Sequence, residues 1–308
     1  MKLATVHHNG ADKLVALIDD TRLLDLTAAA DGPFGRMLDL IDAGDPGLAQ
    51  ARALLGDPKD TAILHANDIS WRAPLPRPRQ MRDCLAFEEH LINSFAQAEK
   101  MTGRKMEIPQ VWYDQPIYYK SNRLSVIGHE QVTRWPAYSN HMDLELELAI
   151  IIGTGGTDIK AADAARHIWG YTIFNDMSAR DAQMKELAAQ LGPAKGKDFD
   201  TGNILGPVII TADEVPMDAR GHVSLQMDVR VNGTRWGGGN SNTMHHTFGD
   251  ILAHISASET IYAGEVIGSG TVGTGCGLEL GKQLADGDTM ELEIEKIGIL
   301  RNTIRKSA

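Results

Sequence analysis

An α+β fold rich in strands is what this sequence predicts, and three observations carry it. From Leu144 to Ile150 the apolar residues occupy every second position, which is the period of a strand and not of a helix. Other strand-length segments follow at Tyr118–Lys120, 168–174, 206–211, 223–231, 265–268 and 289–297. The helical segments are scattered among them, without the regular strand–helix alternation of a doubly wound sheet.

In chain order, residues 2–7 and 14–18 read as two short strands around the turn Asn9-Gly10-Ala11-Asp12, and Leu23–Leu26 adds a third. A helical stretch runs from Pro33 to Leu55 with Met37, Leu38, Leu40 and Ile41 on its apolar side. Pro74, Pro76 and Pro78 alternate in an extended segment that cannot be helix. A boundary placed there separates a small N-terminal α+β domain, 1–75, from a larger domain, 76–308. Phe87 to Met101 has Leu91, Ile92, Phe95 and Ala98 at helical spacing and Gly103 to end it. Two short helices are expected, one over 161–167 and one from Thr247 or Phe248 to Ser256. No internal repeat stands out.

The 308 residues suffice for one large or two modest domains. Hydrophobic content of 43% and charged content of 23% are those of a soluble globular protein. A formal net charge of −11 argues against nucleic acid as a partner. It leaves small anionic substrates open, because a bound cation reverses the local sign. The N-terminus lacks an apolar run long enough for a signal peptide, and no stretch reaches the ~18 apolar residues of a membrane span. A cytoplasmic location is the expectation. Cys84 and Cys276 cannot form a zinc cluster by themselves and are expected to be reduced.

The chemistry-bearing residues begin with Glu145 and Glu147, which share the strand face opposite Leu144, Leu146, Leu148 and Ile150. Strand rise puts their Cα atoms ~6.5–7 Å apart. Two such carboxylates raise each other's pKa unless a cation lies between them, and a divalent ion held by oxygen is the usual one. A solvent-facing Glu-x-Glu is the alternative reading; Ala149 and Ile151 continue that face as apolar and argue that it is covered. Asp176 ends a strand, where it is placed either to ligate on a rigid element or to cap a helix. The Gly-rich basic loop 190–201 carries Lys197, either a solvated cation or an electrophile for a developing oxyanion. Gly273-x-Gly275-x-Gly277 lacks the helix and later acidic residue of a dinucleotide fingerprint. His245-His246 has no metal-ligand partner spacing and reads as a packing pair.

Taken together, Asp83-x6-His90, Asp143-Leu-Glu-Leu-Glu-Leu, Asn175-Asp176-x-Ser-Ala-Arg-Asp, Gly196-Lys197-x-Phe, Gly270-Thr271 and Gly277-Leu-Glu279-Leu resemble the fumarylacetoacetate hydrolase family, in family order over residues 80–300. The resemblance implies a mixed β-sandwich roll, a homodimer, and Mg²⁺, with Mn²⁺ or Ca²⁺ as substitutes, held by Asp83, Glu145, Glu147 and Asp176. An all-oxygen set suits hard cations. It implies His90 as the base that takes a proton from water, and Glu279 as the carboxylate that holds its tautomer. Lys197 and Gln183 would stabilise the enolate that leaves. Arg180, Thr271, Lys120 and Tyr118 fall at substrate-contact positions, although Arg180 also reads as the partner of a neighbouring acid.

Asp83, and Asn93 where many relatives have Glu, point to the branch resembling fumarylacetoacetase itself. Leu85 replaces a Tyr of that enzyme, and the insertion Glu99 to Trp112 is expected to form part of a lid. The expected reaction is therefore hydrolysis of a carbon–carbon bond in a small anionic 2,4-diketo acid, of the acylpyruvate or diketo-deoxy sugar acid type. Oxaloacetate decarboxylation or 2-keto-3-deoxy sugar acid dehydration on the same metal site is the alternative.

Overall fold

Asn9 and Gly10 both sit at positive φ, 48° and 79°, and the strands Lys2–His8 and Ala11–Leu17 close directly on them through the pair His8↔Ala11. This is the two-residue hairpin that Asn-Gly favours, tighter than the four-residue turn expected. The computed structural model describes residues 1–103 and 105–306. The helical stretch expected over 33–55 is broken: Met37–Asp42 and Gly44–Gly56 are separate helices, turned at Gly44 with φ of 58°. A left-handed residue ends a helix even where apolar spacing continues.

Among the described residues the large sheet has twelve strands. Its main path runs Ile63–His65, Arg22–Asp25, Ala11–Leu17, Lys2–His8, Asn203–Thr211, Ile168–Asp176, Leu146–Ile152, Val266–Gly268, Met81–Cys84, Tyr118–Lys120. The N-terminal strands thus join the later ones directly, Leu3 pairing with Ile209. A second sheet orders Thr234–Asn240, Gln226–Val231, Thr289–Ile294, Gly298–Lys306 and Thr133–Trp135. Most pairs are antiparallel, but Val266–Gly268 runs parallel to Met81–Cys84 and Gly298–Lys306 parallel to Thr133–Trp135. The fold is therefore the mixed, strand-rich α+β sandwich expected. The single strand expected at 289–297 is instead a hairpin, Thr289–Ile294 returning as Gly298–Lys306, with Lys296 at φ 66° making the turn.

The strand Leu146–Ile152 lies at the centre and is covered on both faces. Leu146, Leu148, Ile150 and Ile152 share a core with Met227, Val229, Leu292 and Ile294 of the second sheet. Ala149 and Ile151 share the other core with Phe34, Met37, Leu40 and Ile41 of the N-terminal segment. The same sheet face that carries Glu147 thus becomes apolar two residues later, where the helices roof it. The helix Phe248–Ser256 matches expectation, its Thr247 cap and Asp250 forming a capping box; the segment expected at 161–167 is a 3₁₀ turn, Ala161–Arg166. No helix among the described residues is long and apolar enough to cross a membrane.

Leu40 is fully buried in this roof, so Leu40→Ala should lower unfolding free energy by ~2–5 kcal/mol. Urea denaturation measures this, and a loss near zero would show that the roof is not packed as described.

Candidate active site

Strand alternation places Asp83 on Met81–Cys84, Glu147 on Leu146–Ile152 and Asp176 at the end of Ile168–Asp176 on one sheet face. One oxygen from each lies within 4.8 Å of the others, and all three residues are buried. The strand between the first two contributes Gly268, which pairs with Asp83 in register. A Cβ there would stand 2.5 Å from Asp83 Oδ1 and 2.6 Å from Glu147 Oε2. The missing side chain is what lets the carboxylates converge.

Convergence has a cost that the protein alone does not offset. Asp83 Oδ1, Glu147 Oε1 and Asp176 Oδ1 are buried without a hydrogen-bond partner, a state that is expensive for a polar atom and more so for an anion. Burial raises the pKa of all three, Asp176 to about 8 and Glu147 well above its usual range. Three buried carboxylates with oxygens within 4.8 Å of one another, each leaving one oxygen unpaired, fit a hard divalent cation.

Glu145, the fourth acid of the expected set, faces two cations of the protein itself. Burial would raise it, but Lys197 and then Arg180 outweigh that and hold it at about 2. Its Oε2 is 2.5 Å from Lys197 Nζ and its Oε1 2.7 Å from Arg180. Lys197 lies in the short helix Ala194–Lys197 rather than in an open loop, and is buried. Its ammonium also reaches Asp176 Oδ2 at 2.6 Å and donates to Ser178 Oγ at 2.7 Å. Gly196 makes this placement possible, since a Cβ there would meet Gln183 Cβ at 2.6 Å.

Of the two readings of Arg180, the structure shows the acid partner: it pairs with Asp143 Oδ2 at 2.7 Å as well as with Glu145. Its remaining nitrogen donates to Gln183 Oε1 at 3.1 Å, which fixes that carboxamide. Five carboxylates (Asp83, Asp143, Glu145, Glu147, Asp176) thus face two cations, and charge balance calls for protons or a metal.

Beside this cluster His90 Nδ1 lies 2.8 Å from Glu279 Oε1. The carboxylate only accepts, so Nδ1 carries the proton and Nε2 keeps its lone pair. Glu279 is itself held: its Oε2 accepts from Thr274 N at 2.7 Å and Asn93 Nδ2 at 3.0 Å. Thr271 is buried in the loop that continues past Gly268, tied to the central strand by Val272 N to Leu146 O and Leu146 N to Gly275 O. The same loop brings Cys276 Sγ to 3.4 Å from Glu279 Oε1.

Strand alternation divides the run Tyr118-Tyr119-Lys120 between two sides. Tyr119, not its neighbours, points inward and donates its hydroxyl to Asp176 Oδ2. Tyr118 turns to the other side against His254 and Arg82. Lys120 pairs with Glu259 at 3.3 Å and is half exposed, at the rim of an open cavity of about 310 Å³ that Tyr119, Leu191 and Ala194 also line. Gly268 and Cys276 carry no site signal in the sequence; the run Tyr118-Tyr119-Lys120 signals a pocket-lining strand but not which face is inside. In the insertion 99–112, Arg104 lies outside the described residues; Trp112 is buried and donates to Leu85 O at 2.5 Å. His246 packs against Trp112, its Nε2 meeting Trp112 O at 2.7 Å.

The sequence signature described as "Fumarylacetoacetate (FAA) hydrolase C-terminal" matches residues 83–305. The chain is 30% identical to the oxaloacetate tautomerase YisK of Bacillus subtilis, over 99% of this chain and 100% of that one. It is 32% identical to the mitochondrial oxaloacetate tautomerase FAHD2A of Homo sapiens, over 87% of this chain and 79% of that one. A fumarylacetoacetate hydrolase from Exiguobacterium antarcticum has a similar structure, with a TM-score of 0.77 and 26% identity, both chains covered in full.

Two outcomes test the acid cluster. Gly268→Ala crowds Asp83 Oδ1, Glu147 Oε2 and the buried Phe174 ring, and should lose Mg²⁺ affinity by at least the ~10-fold typical of a disturbed ligand shell, with circular dichroism confirming the fold. Unchanged affinity by calorimetry would remove Gly268 from the site. The second concerns pH. Folded pKa values raised above the unfolded ones mean that stability is fully present below the unfolded value and falls as pH rises through the folded one, about 8 for Asp176. Chelator-treated protein should therefore gain more in Tm from added Mg²⁺ at about pH 9 than at about pH 6. An equal gain at both would contradict the burial of these acids.

Proposed function

The chain belongs to the fumarylacetoacetate hydrolase family, and from that premise we propose that it hydrolyses a carbon–carbon bond in a 2,4-diketo acid of the acylpyruvate or diketo-deoxy sugar acid type. The observation that carries this reading is the buried His90–Glu279 pair at 2.8 Å, a base held in one tautomer beside the acid cluster. Keto–enol exchange needs no activated water; hydrolysis does.

Asp83, Glu147 and Asp176 would hold the ion, Mg²⁺ by preference with Mn²⁺ or Ca²⁺ as substitutes, and Glu145 stands next to them. When bound, the ion supplies positive charge that polarises the substrate's oxygens. His90 Nε2 takes a proton from water, and Glu279 stabilises the imidazolium that forms. Hydroxide adds to the C4 carbonyl, the C3–C4 bond breaks, and its electron pair passes into the pyruvate fragment as an enolate. Lys197, charged and held by Glu145 and Ser178, faces the negative charge and gives the carbon its proton. Gln183, fixed by Arg180, offers a further amide donor. The products are two organic acids, one of them pyruvate or a 2-oxo acid like it.

A second reading, keto–enol tautomerisation of oxaloacetate, is supported by the relatives of that name at 30% and 32% identity. It uses the same base and enolate stabilisers without the water.

Incubating Mg²⁺-loaded protein with acetylpyruvate and, separately, with enol-oxaloacetate distinguishes the two. The hydrolase reading expects acetate and pyruvate, abolished by chelator; tautomerisation alone, with no acid pair released, would replace it. His90→Ala should lower hydrolysis by ~10²–10⁴-fold, the worth of a general base, while calorimetric Mg²⁺ affinity stays unchanged. Wild-type turnover in that variant would end the water-activation role.

A further inference from the structure

We propose that His90, Cys276 and Glu279 form a second metal site, selective for Zn²⁺, that switches the catalytic base off. The three side chains come from the helix Glu88–Thr102, the residue before Gly277–Leu280, and that short helix itself. All three are buried, and one ligand atom from each lies within 4.8 Å of the others. Nδ1 to Oε1 is 2.8 Å, Sγ to Oε1 is 3.4 Å and Sγ to Nδ1 is 4.0 Å. Tetrahedral zinc with ordinary N, O and S bond lengths separates such ligands by ~3.3–3.6 Å, so shifts of about half an ångström seat the ion.

The supporting contacts of a metal site are already made. Glu279 Oε2 is fixed by Thr274 N and Asn93 Nδ2, which leaves Oε1 directed at the other two ligands. The backbone of Cys276 is held by its antiparallel bridge to Glu145. A thiolate, a carboxylate and a neutral imidazole balance a dication and complete three corners of a tetrahedron, with water at the fourth. Softness separates this set from the all-oxygen cluster: sulfur and imidazole favour Zn²⁺, and carboxylates alone favour Mg²⁺.

Proton bookkeeping gives the consequence. In the free pair Nδ1 carries the proton and Nε2 the lone pair. Zinc on Nδ1 leaves the neutral ring protonated at Nε2, so the lone pair that would accept a proton is gone. The thiol proton leaves for solvent, one proton per ion bound. Zinc inhibition rests on His90 serving as the base, as read above; zinc binding does not.

Binding is tested with Co²⁺ as a spectroscopic stand-in, added to protein saturated with Mg²⁺. One equivalent should give a thiolate-to-cobalt charge-transfer band that persists in Cys84→Ser and vanishes in Cys276→Ser, with circular dichroism confirming that both variants fold. No band in the wild type, or a band surviving Cys276→Ser, overturns the site. In the turnover assay, Zn²⁺ should inhibit the Mg²⁺-loaded enzyme, and excess Mg²⁺ should not relieve it. Cys276→Ser should need at least ~10-fold more Zn²⁺ for the same fractional inhibition. Relief by excess Mg²⁺ would place zinc at the carboxylates and overturn the proposal. A cobalt band without zinc inhibition would uphold the site and sink the role of His90 as base.

Discussion

The arrangement depends on taking three carboxylates out of water on one face of a sheet and leaving one oxygen of each without a partner. Strand spacing and pleat bring Asp83, Glu147 and Asp176 to the same face, and Gly268 keeps the space between them open. The convergence is only partly offset locally, by Lys197 and Tyr119 at Asp176 and by Gly270 N at Glu147. It persists because the strands bearing it are fixed elsewhere, by the second sheet beneath and the N-terminal helices above. Local strain of this kind, held by the packing around it, is what an ion-binding site requires.

Around the cluster the charges are divided rather than pooled. Arg180 is committed to Glu145 and Asp143 and Lys197 is shared between Glu145 and Asp176, so Asp83 and Glu147 are left without a cation partner among the described residues. Buried pairs of this sort add little net stability against apolar replacements. What they do here is hold the Lys197 ammonium and the Gln183 carboxamide in fixed positions, while a separate carboxylate, Glu279, orients His90. The His90–Glu279 pair and the acid cluster are therefore held by different sets of contacts.

Much of this was legible from residue order. The period-two run around Glu145 and Glu147, with Ala149 and Ile151 continuing the acidic face, correctly indicated a covered strand. The pairing of His90 with Glu279, 189 positions apart, came from the resemblance to a family and from no local signal. What misled was also local. The apolar spacing through 33–55 conceals a break that a single left-handed Gly44 imposes. Tyr118 and Lys120 were favoured over Tyr119 because composition names a strand but not its inward side.

The sequence by itself determined the period-two central strand, a net charge of −11, and acids in a pattern suited to a hard cation. These follow from periodicity and composition, which are properties of neighbouring residues. Only the tertiary structure decided that Glu145 answers to Lys197 and Arg180, that Gly268 opens the space between acids, and that Cys276 lies against the histidine pair. Each of these is a contact between strands or loops remote in the chain. Such contacts are set by how sheets register and pack, which no run of adjacent residues encodes.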